Sequence, residues 1–243
     1  MIQRLLAGGL IAGFAAGLFA ALLHFAFIQE LILLGEEYET GSLTHFAGAG
    51  GAPAQAGHDH AAGEAAHDHG DATAEGEESA VTRNALTVLF TGLIYASYGL
   101  ILVAGYALAE HFGRKVDARE GILWGIAGYA AFQLAPAMGL APELPGTIAA
   151  DLGARQAWWL GTVVATAVGL ALLAYGRSFV AAGIAGALLA APHVIGAPHI
   201  DQYFGVAPTE VGAEYSARVL GVGLAVWAAL GWLSGRLWAG SRA

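Results

Sequence analysis

The sequence predicts an all-α membrane protein, a polytopic bundle of about six transmembrane helices with one long polar loop. Hydrophobic residues make up 57% of the 243 residues and charged residues only 12%, whereas soluble domains have roughly 45–50% apolar and about 25% charged residues. Six apolar runs each approach the roughly 20 residues that a helix needs to cross a bilayer. One low-complexity segment, residues 47–80, separates the first two runs. We therefore expect residues 1–243 to form a single domain embedded in lipid.

Five of the six apolar runs have the length and composition of a transmembrane helix, whereas a proline interrupts the fifth run. The six runs cover residues 5–27, 86–109, 121–140, 156–175, 179–197 and 217–236. The fifth run contains Pro192 and is followed by Pro198, which can end a helix early or make it re-enter and would leave five spans. The first run lacks the cleavage pattern of a signal peptide, so we expect it to be retained. Its Gly9, Gly13 and Gly17 form two overlapping GxxxG steps, which are typical of close helix packing in membranes.

The distribution of charge predicts that both termini are cytoplasmic. With the N-terminus inside, seven of the ten lysines and arginines fall on the inner side, as expected for an inner (plasma) membrane protein. Sixteen of the nineteen acidic residues then face outward, and such a surface concentrates cations. Nucleic acid is not expected as a partner.

The polar segment carries a duplicated His-Asp-His motif. The motif occurs at 58–60 and again at 67–69 within a stretch of glycine, alanine and acidic residues that is expected to be disordered. Neutral imidazole is a common ligand of transition metals, although a flexible loop binds them with little selectivity. A solvated linker is the alternative interpretation, but the histidine density favours metal collection. The four candidate ligands are His58, His60, His67 and His69.

The sequence argues against an enzyme. There is no cysteine, so thiolate metal sites and cysteine nucleophiles are excluded. The HExxH metalloprotease pair is absent, and the only lysine, Lys115, does not follow a glycine-rich phosphate loop. Ser234 lacks the spacing of a serine nucleophile and an evident partner histidine. We therefore expect neither catalysis nor ATP binding.

Histidines and carboxylates near the predicted outer face are candidates for a selective metal site. His193 lies in "PHVIGAPH", where Pro192 and Pro198 free backbone carbonyls as extra ligands, and we expect Glu143 and Asp151 to complete a mixed nitrogen and oxygen shell. Arg155 is their expected counter-charge. A packing histidine bonded to a neighbouring carbonyl is the alternative. His24 in the first run and His199 at the outer interface are weaker candidates.

Several of these stretches together resemble one known family. The blocks "PAMGLAPELPGTIAADLGARQAWW" and "APHVIGAPH", the opening "RLLAGGLIAGFAAGL", "LILLGEEYE" and the histidine-rich loop are similar to the CbtA family of predicted cobalt transporter subunits. The resemblance implies uptake of cobalt(II) without an organic cofactor, beside a small single-span CbtB-like partner. It also adds Glu37 and Glu39 to the candidate ligands, with Glu143, Asp151, Arg155 and His193 at matching positions.

Two other functions remain open from the residues alone. His24 and His193 have the chemistry of axial ligands for a noncovalently bound haem in an electron-transfer protein. Alternatively, the chain is an accessory subunit that binds metal and does not itself conduct it.

Overall fold

The computed structural model describes residues 2–45 and 72–240, which form helices joined by short connections. In chain order the helices are α1 (Ile2–Phe27), α2 (Gln29–Glu39), α3 (Ala72–His111), α4 (Ala118–Tyr129), a π-helix (Ala130–Leu134), α5 (Ala135–Ala137), α6 (Leu152–Tyr175), α7 (Phe179–Ile195) and α8 (Thr209–Gly240). Within these ranges no β-strand forms, and Thr147 and Gly205 make an isolated bridge. The predicted all-α membrane bundle is confirmed.

The helices coincide with the predicted spans. Four stretches, in α1, α3, α6 and α8, are long and apolar enough to cross a bilayer. Helix α4, the π-helix and α5 follow one another without a break over residues 118–137, and 20 helical residues extend about 30 Å. Helix α7 is a shorter apolar helix of 17 residues. It continues through Pro192 and ends at Ile195, before Gly196 with its positive φ of 86°.

Two helical stretches differ from the prediction. Helix α3 begins at Ala72, so residues 72–80, which the sequence assigns to the polar loop, are helical. Helix α2 was not predicted at all, and it follows α1 after Ile28, whose amide bonds to the His24 carbonyl at 2.9 Å.

Helices α1, α3, α4 and α8 form the centre of the bundle, and glycines set their separation. Gly9, Gly13 and Gly17 of α1 lie against α3, where a Cβ on Gly17 would come within 2.6 Å of the Gly92 Cα. The α4–α8 pair repeats the arrangement: a Cβ on Gly231 would lie 2.8 Å from the Gly125 Cα. Both pairs therefore approach backbone to backbone, as small residues allow in lipid.

Large side chains fill the space between the α1–α3 pair and the α4–α8 pair. Tyr106, Leu230 and Val226 are fully buried there, and Trp227 is nearly so. The Tyr106 hydroxyl is 2.8 Å from the Ser234 hydroxyl, so the polar end of the buried tyrosine is satisfied.

Helices α6 and α7 form a hairpin on one side of this centre. Helix α6 contacts α4, the π-helix and α5, whereas α7 contacts α6 alone among the described elements. The hairpin therefore leaves large apolar side chains exposed, including Phe179, Val180 and Val194. Exposed apolar side chains of this kind are expected where a helix faces lipid.

The helix order places the connections at two opposite ends of the bundle. The carboxylate end contains residues 28–45, 80–84, 138–155 and 196–218, together with the last turn of α7. The arginine end contains residues 110–120, 175–179 and the last turns of α8. Side chains join segments within each end: Arg218 donates to the Phe27 carbonyl (2.9 Å) at the first, and the Trp238 indole donates to Glu110 (2.8 Å) at the second.

Candidate functional site

The carboxylate end differs from the arginine end in charge. Among residues whose side chains the structure describes, the carboxylate end holds nine acidic side chains and three arginines, and the arginine end holds three acidic side chains and five basic ones. The nine acidic residues are Glu30, Glu36, Glu37, Glu39, Glu143, Asp151, Asp201, Glu210 and Glu214. Such an excess of carboxylates attracts cations, so this end is the candidate site for a metal ion.

The connection between α5 and α6 is held in place by three distant segments. The Ser216 hydroxyl donates to the Pro142 carbonyl at 2.6 Å, and the Ile148 amide donates to the Phe204 carbonyl at 3.3 Å. Leu144 is buried and lies under Gly35 of α2, where a Cβ would come within 3.3 Å of it. The connection is therefore fixed by contacts with α2, α8 and the segment before α8.

The fixed connection brings Glu143 to Arg155 of α6. The Arg155 guanidinium donates to the Glu143 carboxylate at 3.3 Å, with 29% and 38% of the two side chains exposed. Asp151 instead caps α6, because its carboxylate accepts from the Ala154 amide at 2.9 Å. Both acidic groups thus have protein partners in this structure, and Arg155 is paired with Glu143.

His193 lies in the last turn of α7, where it is half-buried. Its ring meets the edge of the Trp158 indole, with 6.3 Å between ring centres. The Trp158 indole N–H donates to the Pro192 carbonyl at 3.2 Å, and the Gly196 amide donates to the same oxygen. That carbonyl is therefore already occupied. No described residue hydrogen-bonds to the His193 ring nitrogens, so the carbonyl partner of a packing histidine is not found in that part of the chain.

The structure does not bring Glu143 and Asp151, the predicted metal ligands, together with His193 in one coordination shell. Among the side chains that the structure describes, no three His, Asp or Glu lie close enough together to hold a metal ion. The Glu143 carboxylate is directed to Arg155 and the Asp151 carboxylate to the Ala154 amide of α6. The described side chains therefore form no complete metal shell around His193.

The remaining candidates are distributed over the bundle. His24 is half-buried on α1, next to Phe25, and α1 does not contact α7, the helix that carries His193. His199 is exposed, with its Nδ1 3.2 Å from the Ala197 carbonyl. Glu37 and Glu39 are exposed on α2. The four loop histidines, His58, His60, His67 and His69, lie outside the described residues.

A crevice between α6 and α8 was not predicted from the sequence. Its volume is about 470 Å³, its floor is formed by the π-helix and α5, and the Glu143–Arg155 pair lies at its rim. The Gln133 amide N–H donates to the Val219 carbonyl of α8 at 3.1 Å. π-Helical turns occur frequently at functional sites, but the sequence offers only an isolated glutamine in an apolar run, followed by Pro136, as a signal.

Comparison with known proteins identifies one family. The family model described as "Probable cobalt transporter subunit (CbtA)" matches residues 2–239, nearly the whole chain. No curated protein and no solved structure gives a match.

Proposed function

The chain belongs to the CbtA family of probable cobalt transporter subunits, and from this we propose that it carries cobalt(II) inward across the inner (plasma) membrane. The ion approaches the carboxylate end, passes the exposed Glu37 and Glu39, and enters the bundle past His193 and His24, which lie in the last turns of α7 and α1. The word subunit implies a complex, and the proposed partner is a small single-span CbtB-like protein. Neither an organic cofactor nor a catalytic step is part of this proposal.

The membrane potential is sufficient to drive such uptake. A divalent cation moving inward through 100 mV gains about 4.6 kcal/mol, which corresponds to more than a thousandfold accumulation. The sparse protein ligands near His193 fit this route, because an ion that is conducted must bind weakly enough to leave again. A binding protein that only stores the metal would instead be expected to have a complete, closed shell.

The observation that carries the proposal is the difference in charge between the two ends. Nine described carboxylates stand at one end and an excess of lysine and arginine at the other, and basic residues favour the cytoplasmic side. We therefore infer that the carboxylate end faces outward and that both termini are cytoplasmic.

Reporter fusions test this orientation. A reporter placed after residue 60 should be active only on the outer side, and one placed after Asp117 only in the cytoplasm. A fusion after Gly240 serves as a second cytoplasmic control. The reverse pattern would place the carboxylates inside and exclude their role in attracting external cobalt.

The histidine-rich loop is proposed to collect metal at the outer face. Its two His-Asp-His motifs raise the local metal concentration without forming the path through the membrane. Because flexible imidazole sites follow the Irving–Williams order, a peptide of residues 55–72 should bind Cu(II) more tightly than Co(II).

Replacing all four loop histidines, His58, His60, His67 and His69, by alanine tests the collector role. At low cobalt concentration, uptake should become slower by about the factor by which the loop raises the cobalt concentration near the bundle. The maximal rate should stay nearly unchanged. Cobalt uptake is measured over a range of concentrations, with His111→Ala at the arginine end as the control. Loss of transport at saturating cobalt would show that the loop belongs to the path.

A further inference from the structure

The crevice between α6 and α8 has the shape of a ligand site. Helices α6 and α8 do not contact each other anywhere in their described lengths, and the π-helix and α5 bridge them from behind. The resulting volume of about 470 Å³ lies within the 300–1,000 Å³ that small-molecule sites typically occupy. The crevice is therefore large enough for an organic ligand and much larger than a bare metal ion requires.

The walls of the crevice are amphiphilic. Phe132, Pro136, Trp159 and Val219 supply apolar surface, whereas the charged Glu143–Arg155 pair lies at the end nearest the α5–α6 connection. Tryptophans near the end of a span mark the level of lipid headgroups. Trp159 lies two turns from the start of α6, and Arg155 lies one turn closer to that start. The charged rim is thus at headgroup depth, and the apolar part lies deeper along the spans.

The rim offers one positive and one negative group side by side. The Arg155 guanidinium nitrogen lies 3.3 Å from the Glu143 carboxylate oxygen, and both side chains are partly exposed. Their ion pair is therefore weak, and a ligand can replace it. A guanidinium binds phosphate with paired hydrogen bonds, and a carboxylate accepts hydrogen bonds from a primary ammonium. A purely anionic headgroup would satisfy Arg155 but would leave Glu143 facing a second negative charge.

We propose that this crevice binds a phospholipid with a phosphoethanolamine headgroup. The phosphate pairs with Arg155, the ammonium group pairs with Glu143, and one acyl chain lies along Phe132 and Trp159. The bound lipid fills the gap between α6 and α8 and ties the α6–α7 hairpin to the centre of the bundle. The proposal does not depend on cobalt transport.

Native mass spectrometry of the full-length protein tests the proposal. The protein is titrated separately with phosphatidylethanolamine and phosphatidylglycerol of the same acyl chains, and with free phosphoethanolamine. We expect phosphatidylethanolamine to bind at least tenfold more tightly than either of the others, because only it supplies both charges and the chain.

Variants separate the headgroup from the chain. Arg155→Gln should weaken phosphatidylethanolamine binding about tenfold, and Glu143→Gln should remove the preference over phosphatidylglycerol. Val219→Trp, which fills the crevice and leaves the ion pair in place, should weaken binding of both lipids. The control is Arg83→Gln, since Arg83 pairs with Glu36 at 3.9 Å at the same end but does not line the crevice.

Three results would overturn the proposal. Equal lipid binding by the Arg155→Gln and Arg83→Gln proteins would show that the lipid sits elsewhere or that another chain covers the crevice. Equal affinity for free phosphoethanolamine would identify a small soluble zwitterion as the ligand. Equal affinity of the unmodified protein for phosphatidylethanolamine and phosphatidylglycerol would show that Glu143 does not bind the ammonium group.

Discussion

Gly231→Ala is expected to destabilise the bundle by about 1–3 kcal/mol, the usual cost of overpacking a filled interior. The new methyl group would lie 2.8 Å from both the Cα and the amide nitrogen of Gly125, and closer still to the Gly121 carbonyl oxygen. All three neighbours are backbone atoms, so helices α4 and α8 must move apart. Thermal unfolding of the purified protein in detergent should show a midpoint lower by roughly 3–10 °C.

Gly221→Ala on the same helix is the matched control. Nothing lies within 4 Å of a Cβ at Gly221, so the only effects there are the small gain in helix propensity and a change at an exposed surface. Its midpoint should stay within about 2 °C of the unmodified protein. If the two variants melt together, the close approach of α4 and α8 is not what stabilises the bundle.

His193→Ala should abolish cobalt uptake at every cobalt concentration. The ring is half-buried in the last turn of α7, no described residue hydrogen-bonds to its nitrogens, and the proposed function gives an imidazole nitrogen to the ion. Glutamine preserves a hydrogen-bonding side chain but is a poor metal ligand. We therefore expect His193→Gln to fold normally, with an unchanged melting midpoint, and still to transport at least tenfold more slowly.

His111→Ala, an exposed histidine at the end of α3, is the control and should transport normally. A packing role for His193 makes the opposite forecast, because a hydrogen-bonding glutamine would then restore activity. A stable and fully active His193→Gln protein would return His193 to a structural role. Glu37, Glu143 and Asp151 would then be the remaining candidates.

The bundle could be predicted because the bilayer imposes a simple rule on the chain. A span needs a minimum length of apolar helix, and that property can be read from local sequence. Local sequence does not show which helices meet. The glycines of α1 predict a close helix contact. Their partner, Gly92 on α3, is determined by the packing of the whole bundle. Helix α2 was missed because it has only eleven residues, four of them glutamates, and is therefore too short and too charged to resemble a span.

The candidate site was predictable in composition and not in geometry. The sequence places Glu143, Asp151 and His193 near one face, but their orientations depend on distant contacts. Ser216 of α8 fixes the backbone at Pro142, and the helix-capping preference of Asp151 turns its carboxylate toward the α6 amides. The crevice depends on a π-helical turn around Gln133, and one extra residue in a helical turn has no distinct sequence pattern.

Cobalt uptake by the purified chain, reconstituted alone in vesicles with an imposed inside-negative potential, tests transport most directly. With the carboxylate end outward, the potential should drive accumulation of cobalt well beyond the amount of protein present, and the accumulation should rise steeply with voltage. Collapse of the potential should release the accumulated excess. Binding of cobalt in proportion to the protein, without accumulation at any potential, would contradict conduction and would identify the chain as a metal-binding accessory subunit.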